Sequence, residues 1–229
     1  MNTSVIDAHN LSKEYKEGMV STYALNNVHL HIEKGEFIAI KGPSGSGKTT
    51  LLNMIGGLDT PTSGYVEING TNITELSASE LVTFRLQNIG FVFQSYNLIP
   101  VLTAEENIEF IMLLQNTPKV VRESRVHELL KEIGLEDKAK KKPSELSGGQ
   151  QQRIAVARAL ASKPQFILAD EPTANLDSIS AGNLLDMMLK LNKEEQMTFI
   201  FSTHDQRVID KARRVITLED GKIISDIRQ

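Results

Sequence analysis

Apolar and polar positions alternate through the N-terminal segment. VIDAHNLSKEY (5–15) and YALNNVHLHI (23–32) mix period-two apolar positions with turn residues and predict β-strands. EKGE (33–36) between Ile32 and Phe37 predicts a hairpin turn. FIAIK (37–41) is a short apolar strand that runs directly into a glycine-rich loop, and KTTLLNMIGGL (48–58) has helical periodicity and stops at a glycine pair. After the turn DTPTSG, YVEING (65–70) alternates as a strand.

The period then changes. SASELVTFRLQ, TAEENIEFIMLLQ and KVVRESRVHELLKEIG, from Ser77 to about Ile133, are helical, with the short strand IGFVF (89–93) among them. Strands and helices alternate again afterwards: QFILAD, SISAGNLLDMMLKLNKEE, MTFIFSTH, DQRVIDKA, and a hairpin RVITLEDGKIISDI centred on Asp220-Gly221. The expected class is α/β, with a helical stretch inserted between two halves of one domain. Its core would comprise about 1–93 and 163–229, and its helical subdomain about 94–162.

Composition narrows the class. The chain has 229 residues, 40% of them hydrophobic and 24% charged, which suits a soluble domain with a substantial core. A net charge of −4 does not favour nucleic acid as a partner. The absence of cysteine excludes disulfides and thiol metal sites. No apolar run approaches the roughly 18 residues needed to span a bilayer, and the N-terminal residues lack a leader's basic-then-apolar layout. Any membrane role is therefore expected to come through a partner. The run KAKKKP (138–143) reads as a solvated loop, with a contact to anionic lipid or a partner as the alternative.

GPSGSGKT, comprising Gly42, Pro43, Ser44, Gly45, Ser46, Gly47, Lys48 and Thr49, fits G-x-x-x-x-G-K-[ST] between a strand and a helix. Such glycines let backbone N–H groups converge on phosphate oxygens, the lysine faces the β- and γ-phosphates, and the Thr49 hydroxyl can ligate Mg²⁺. FILADEP ends a buried strand in Asp170, placed to reach Mg²⁺, followed by Glu171 as candidate base for an attacking water. His204 closes TFIFST and can donate to a γ-phosphate, while Gln94 closes GFVF with an amide able to serve water, phosphate and metal. LSGGQQQRIAVARAL (146–160) is a second glycine turn opening a helix, where unpartnered amides favour anions. One small domain thus carries two phosphate-grade helix starts.

Together, these motifs resemble the ATP-binding subunit of ABC transporters over essentially the whole chain, implying a P-loop NTPase ABC ATPase fold: a mixed sheet core, an N-terminal antiparallel part and an inserted helical subdomain. The resemblance makes Gly42–Thr49 the Walker A loop, with Thr50 beside it, Gln94 the Q-loop, Leu146–Gln150 the signature, Phe166–Asp170 with Glu171 the Walker B element, Ala174–Asp177 the D-loop and His204 the switch histidine. Tyr15 falls where the family places an aromatic ring against adenine. ATP and Mg²⁺ are the implied ligands, the metal held at Thr49, Gln94 and Asp170, with Lys48, Gln94, Glu171 and His204 in catalysis.

The resemblance also explains the second helix start. Family members pack head to tail, so that Ser147, Gly148, Gly149, Gln150 and Asp177 would meet the nucleotide held by a second copy of the chain. The other implied partner is an integral membrane permease, which places the protein peripherally on the cytoplasmic face of the membrane. YKEGMVSTYALNNVHLHI, GLDTPTSGYVEING and IGFVFQSYNLIPVLTAEENI are similar to the subfamily serving macrolide efflux, lipoprotein release and cell division, with an importer ATPase, such as one for amino acids, as the alternative. A soluble ABC protein acting on ribosomes or DNA is a further class; one cassette without an inserted coiled coil speaks against it. SYNLIPVLTAEENI (95–108) is expected to help form a groove for a permease helix, with Tyr96 and Leu98 as its test positions, or else to fill the helical core through Leu98, Ile99 and Leu102.

Overall fold

In the computed structural model of the chain, which describes residues 4–18 and 20–229, the alternating N-terminal segments form two long strands, β1 (Ser4–Glu17) and β2 (Val20–Glu33). They pair antiparallel, and β4 (Ser63–Ile68) and β5 (Thr71–Asn72) extend them into a four-stranded sheet ordered β2-β1-β4-β5. Ile6, Ala8, Leu11, Leu30, Ile32, Val66 and Ile68 are buried on one face, while His9, His31 and Tyr65 keep the other in contact with water.

The turn after β2 does not make the expected hairpin. β3 (Phe37–Lys41) leaves the first sheet and lies in a six-stranded one, ordered β10-β9-β3-β8-β7-β6, where it runs parallel to both β8 and β9. The reason lies in FIAIK itself: Phe37, Ile38, Ala39 and Ile40 are all fully buried, which requires cover on both faces of the strand. A sheet with one wet face cannot supply it. The remaining strands are β6 (Ile89–Val92), β7 (Phe166–Asp170), β8 (Thr198–Ser202), β9 (Arg214–Glu219) and β10 (Lys222–Arg228), the last two joined as the predicted hairpin.

This sheet separates two cores. Ile38, Ile40, Phe166, Leu168, Ile200, Ile216 and Leu218 face α1 (Lys48–Ile55) and the antiparallel sheet. Their alternates Phe37, Ala39, Ile167, Ala169, Phe199 and Phe201 face the helices. These helices are α3 (Ala104–Leu114), α4 (Lys119–Glu132), α5 (Gly148–Ala161), α6 (Ser178–Glu195) and α7 (Gln206–Lys211), while α2 (Ala78–Asn88) packs Leu81 and Phe84 on the first core. α2, α3 and α5 open with reciprocal capping boxes, Ser77/Glu80, Thr103/Glu106 and Ser147/Gln150, which hold the first-turn amides that a helix leaves unpaired. Residues of α3, α4 and α5 belong to the same apolar cluster as β3, β7 and β8, so the inserted helices share the sheet's core. Because β3, β6, β7 and β8 are parallel, their carboxyl ends meet at one edge of the sheet.

Candidate functional site

That edge gathers the loop after β3, Gln94 after β6, Asp170 and Glu171 at the end of β7, and His204 after β8. Gly47 adopts φ +102°, and a Cβ there would run into the Ala24 carbonyl, so only glycine lets the loop enter α1 against β2. The loop is tied from outside as well, since Gly221 N–H, in the β9–β10 turn, donates to Ser46 O at 3.0 Å. Lys48 is almost fully buried, and its ammonium donates to the carbonyls of Gly42 (2.8 Å) and Pro43 (2.9 Å), which curls it back along the loop. Ser46 Oγ is buried with no partner.

Thr49 Oγ1 donates to Asp170 across 3.1 Å to Oδ2 and 3.3 Å to Oδ1. Glu171 sits at φ +46°, a left-handed conformation unusual for this residue, and its backbone N–H is bonded to Ser202 O at 2.9 Å. The twist turns its carboxylate away from Asp170 and toward β8. Oε1 lies 2.7 Å from His204 Nδ1, and Oε2 accepts from Thr203 Oγ1 at 3.2 Å. Loop residues 42–45 and 47–50, together with Ala24, Gln94, Glu171, Ser202 and His204, line a cleft of about 620 Å³.

The other predicted residues lie elsewhere. Tyr15 is not among the cleft-lining residues; its hydroxyl donates to Asp59 Oδ2 at 3.0 Å, and the Lys13 ammonium lies 5.1 Å from its ring centroid. Ser147, Gly148, Gly149 and Gln150 are outside the cleft too. Ser147 Oγ accepts from Gln150 N at 3.3 Å, and Gln150 Oε1 accepts from Ser147 N at 2.9 Å. A Cβ on Gly148 would stand 2.7 Å from the Tyr96 hydroxyl, and one on Gly149 would stand 2.9 Å from Ser180, so both glycines let the start of α5 press on its neighbours. Asp177 caps α6 by accepting from Ile179 N (3.0 Å) and Ser180 N (2.9 Å). Hydrogen bonds from Ser180 hold its carboxyl below the usual range.

Sequence reading missed Ala24 and Ser202 as walls of the cleft and Thr203 as a partner of Glu171. Ala24 carries no chemistry of its own to reveal it. Thr203 gives no signal in the sequence beyond its place beside His204.

Thr49, Asp170 and Gln94 offer only oxygen donors suited to a hard cation. Among the described residues no group of three or more His, Cys, Asp or Glu could hold a metal by itself. Such a sparse set fits Mg²⁺, which keeps several waters and takes further oxygens from phosphates.

A second concavity, about 480 Å³ and mainly apolar, lies under α2 and α3 and is lined by Phe91, Phe93, Ile99, Phe110, Ile111 and Leu114 among others. Asn97 and Ile99 come from the segment expected to form a groove. Leu98 instead packs on the main core, and Tyr96 turns toward Gly148. No helix among the described residues is long and apolar enough to cross a membrane.

A nucleotide-phosphate loop, an acidic strand end and a histidine converging at one sheet edge define a P-loop nucleotide-binding protein. Comparison with known proteins narrows this. The sequence profile of the ABC transporter family matches residues 25–174. The chain is 46% identical over 226 residues to the macrolide export ATP-binding/permease protein MacB of Mannheimia succiniciproducens, covering 99% of this chain but only 35% of that protein. It is 47% identical over 223 residues to the ABC transporter ATP-binding protein MJ0796 of Methanocaldococcus jannaschii, covering 96% of this chain and 95% of that one. A dimeric structure of MJ0796 in a post-hydrolysis state, bound to ADP and Pi, superposes with a TM-score of 0.89 over 97% of this chain and 98% of that one, at 45% identity. The chain belongs to the ABC transporter family as an ATP-binding, ATP-hydrolysing domain that uses ATP and Mg²⁺.

Proposed function

We propose that two copies of this chain close head to tail around two ATP molecules and that the closure drives an integral membrane permease. The two-copy reading rests on the division of the site. Loop, Gln94, Glu171 and His204 share one cleft, with Asp170 bonded to its Thr49, while Ser147–Gln150 and Asp177 stand apart from it. The Ser147 cap takes up the Gln150 amide, and the rest of the α5 opening presents N–H groups suited to a phosphate from outside the chain. The MJ0796 structure, a dimer with ADP and Pi, supports the same reading.

In the assembled site, Lys48 transfers its ammonium from the loop carbonyls to the β- and γ-phosphates, and Ser147 of the second copy donates to the γ-phosphate. Glu171, oriented by His204 and Thr203, aligns a water for in-line attack on the γ-phosphorus and takes its proton as the bond to ADP breaks. When bound by Thr49, Asp170 and Gln94, Mg²⁺ neutralises phosphate charge. Tyr15 packs against adenine at the rim. Residues 94–162 act as the lobe that presents the signature, and 1–93 with 163–229 act as the lobe that holds the phosphates.

The apolar groove under α2 and α3 receives a short helix of the permease, which holds the protein on the cytoplasmic face of the membrane. We place the complex among exporters, lipoprotein-releasing or force-transmitting systems. The similarity to MacB, whose name states macrolide export, supports this choice over an importer.

Glu171→Gln keeps the size and polarity of the side chain but removes the base. It is expected to bind ATP-Mg²⁺ and accumulate as a dimer in light scattering. A variant that stays monomeric at saturating ATP-Mg²⁺ contradicts the proposal.

A further inference from the structure

After Gln94 the chain reverses through two successive non-glycine residues in the left-handed region, Tyr96 at φ +59° and Asn97 at φ +49°. Asparagine tolerates this conformation; tyrosine adopts it at a cost. The local bonds Tyr96 N–H to Phe93 O (3.2 Å) and Asn97 N–H to Ser95 O (2.6 Å) offset that cost in part, and contacts from outside the turn add to their support. The carbonyls of the segment show where that support comes from. Phe93 O accepts from Gln152 Nε2 at 3.4 Å, and Gln94 O accepts from Asn175 Nδ2 at 3.0 Å. Tyr96 O and Asn97 O accept from Arg158, at 3.0 Å from Nη2 and 2.5 Å from Nη1.

Arg158 therefore spans both left-handed residues with the two tips of one guanidinium. It belongs to α5, the helix that Ser147 opens. The side chain also lines the apolar groove together with Phe93 and Asn97. Burying a cation is costly unless its N–H groups are bonded, and here backbone carbonyls of the turn meet that need. At the other end of α5, Gly148 brings the helix start under the Tyr96 hydroxyl. The turn is thus bonded to α5 through Arg158 and lies close against the start of the same helix, about three helical turns away.

We propose that Arg158 is a positioning residue for ATP hydrolysis: its fork holds the turn after Gln94, so that the Gln94 amide and the opening of α5 move as one body. This rests on the reading of Gln94 as a metal donor and of Ser147 as a group acting on the second copy's nucleotide. A purely structural arginine would, when removed, lower stability and leave the metal dependence alone. A positioning arginine separates the two effects.

The test uses the full chain with Arg158→Met, which keeps length and apolar contact, and Arg158→Lys, whose single ammonium cannot reproduce a fork. Three quantities are read: ATP affinity of the isolated chain, Mg²⁺ concentration for half-maximal turnover, and the ATP needed to form the dimer in a Glu171→Gln background. For Arg158→Met, ATP affinity should stay within about twofold, because the residue is remote from the cleft. Both the Mg²⁺ and dimerisation midpoints should rise about tenfold, with Arg158→Lys between it and wild type. Gln94→Ala should raise the Mg²⁺ midpoint similarly, and adding Arg158→Met to it should produce little further change. Unchanged Mg²⁺ and dimerisation midpoints in folded Arg158→Met or, if that variant does not fold, in Arg158→Lys overturn the inference. So do effects that simply multiply with those of Gln94→Ala. If Gln94→Ala itself leaves the Mg²⁺ midpoint unchanged, the metal-donor reading fails and takes the inference with it.

Discussion

His204 Nδ1 lies 2.7 Å from Glu171 Oε1, and the two residues differ sharply in exposure: the histidine side chain is 75% accessible and the glutamate 16%. The carboxylate is built into the wall of the cleft, while the imidazole reaches it from the solvent side. Exposure leaves His204 free to turn between Glu171 and an incoming phosphate. His204→Ala should lower kcat by about a hundredfold, in the range typical of a lost acid–base or orienting group, and change ATP binding much less. Steady-state kinetics paired with equilibrium binding checks this. Equal losses in both would assign His204 to binding.

Lys48 presents the opposite case, a cation stored on its own loop. Its bonds to Gly42 O and Pro43 O keep it from being buried without partners. Lys48→Met should lower ATP affinity by about tenfold or more, since charge-assisted bonds to phosphate are lost, and should cost the empty protein little stability. Titration calorimetry and thermal melting report the two effects separately.

Ser147 caps α5 and is also the residue proposed to act on the second copy, and substitution can separate these roles. Ser147→Ala should destabilise the chain by about 1 kcal/mol through loss of the α5 cap. Ser147→Asp retains a good cap but brings a negative charge to the position assigned to the second copy's γ-phosphate. It should melt like wild type and fail to form the ATP dimer in a Glu171→Gln background. Wild-type dimerisation by Ser147→Asp would refute the role in trans.

Much of this architecture was legible beforehand because its signals are local. Hydrophobic period placed α6 and the β9–β10 hairpin, and the GPSGSGKT spacing placed the loop and α1. The EKGE turn misled because a turn records only that the chain bends; which sheet the next strand joins depends on the burial demand of FIAIK. The left-handed Tyr96 and Glu171 were equally hidden, since neither residue type favours that conformation and only tertiary bonds impose it. Arg158 carried no motif of its own. Its partners are backbone carbonyls some sixty positions away in the chain, which no spacing rule reveals.

Asp205 links this machinery to acid stability. It caps α7, accepts from Thr173 Oγ1 at 2.6 Å, and is paired with Arg207, whose hydrogen bonds lower its pKa to about 2. A depressed carboxylate pKa stabilises the fold at pH values above the ordinary, unfolded value, and that contribution is lost as pH falls through the folded value. Wild-type stability should therefore fall between about pH 4 and pH 2 partly through this group. Asp205→Ala should lose about 1 kcal/mol near neutrality through the missing cap and show a shallower decline in that acid window. Urea midpoints across the range check both the offset and the slope.

The central claim is that neither chain holds a complete hydrolytic centre, and the dependence of turnover on protein concentration tests it most directly. ATP hydrolysis per chain, measured at saturating ATP-Mg²⁺ over a dilution series, should vanish toward low concentration and rise to a plateau as pairs form. A constant rate per chain, down to dilutions where sedimentation finds only single copies, would contradict it.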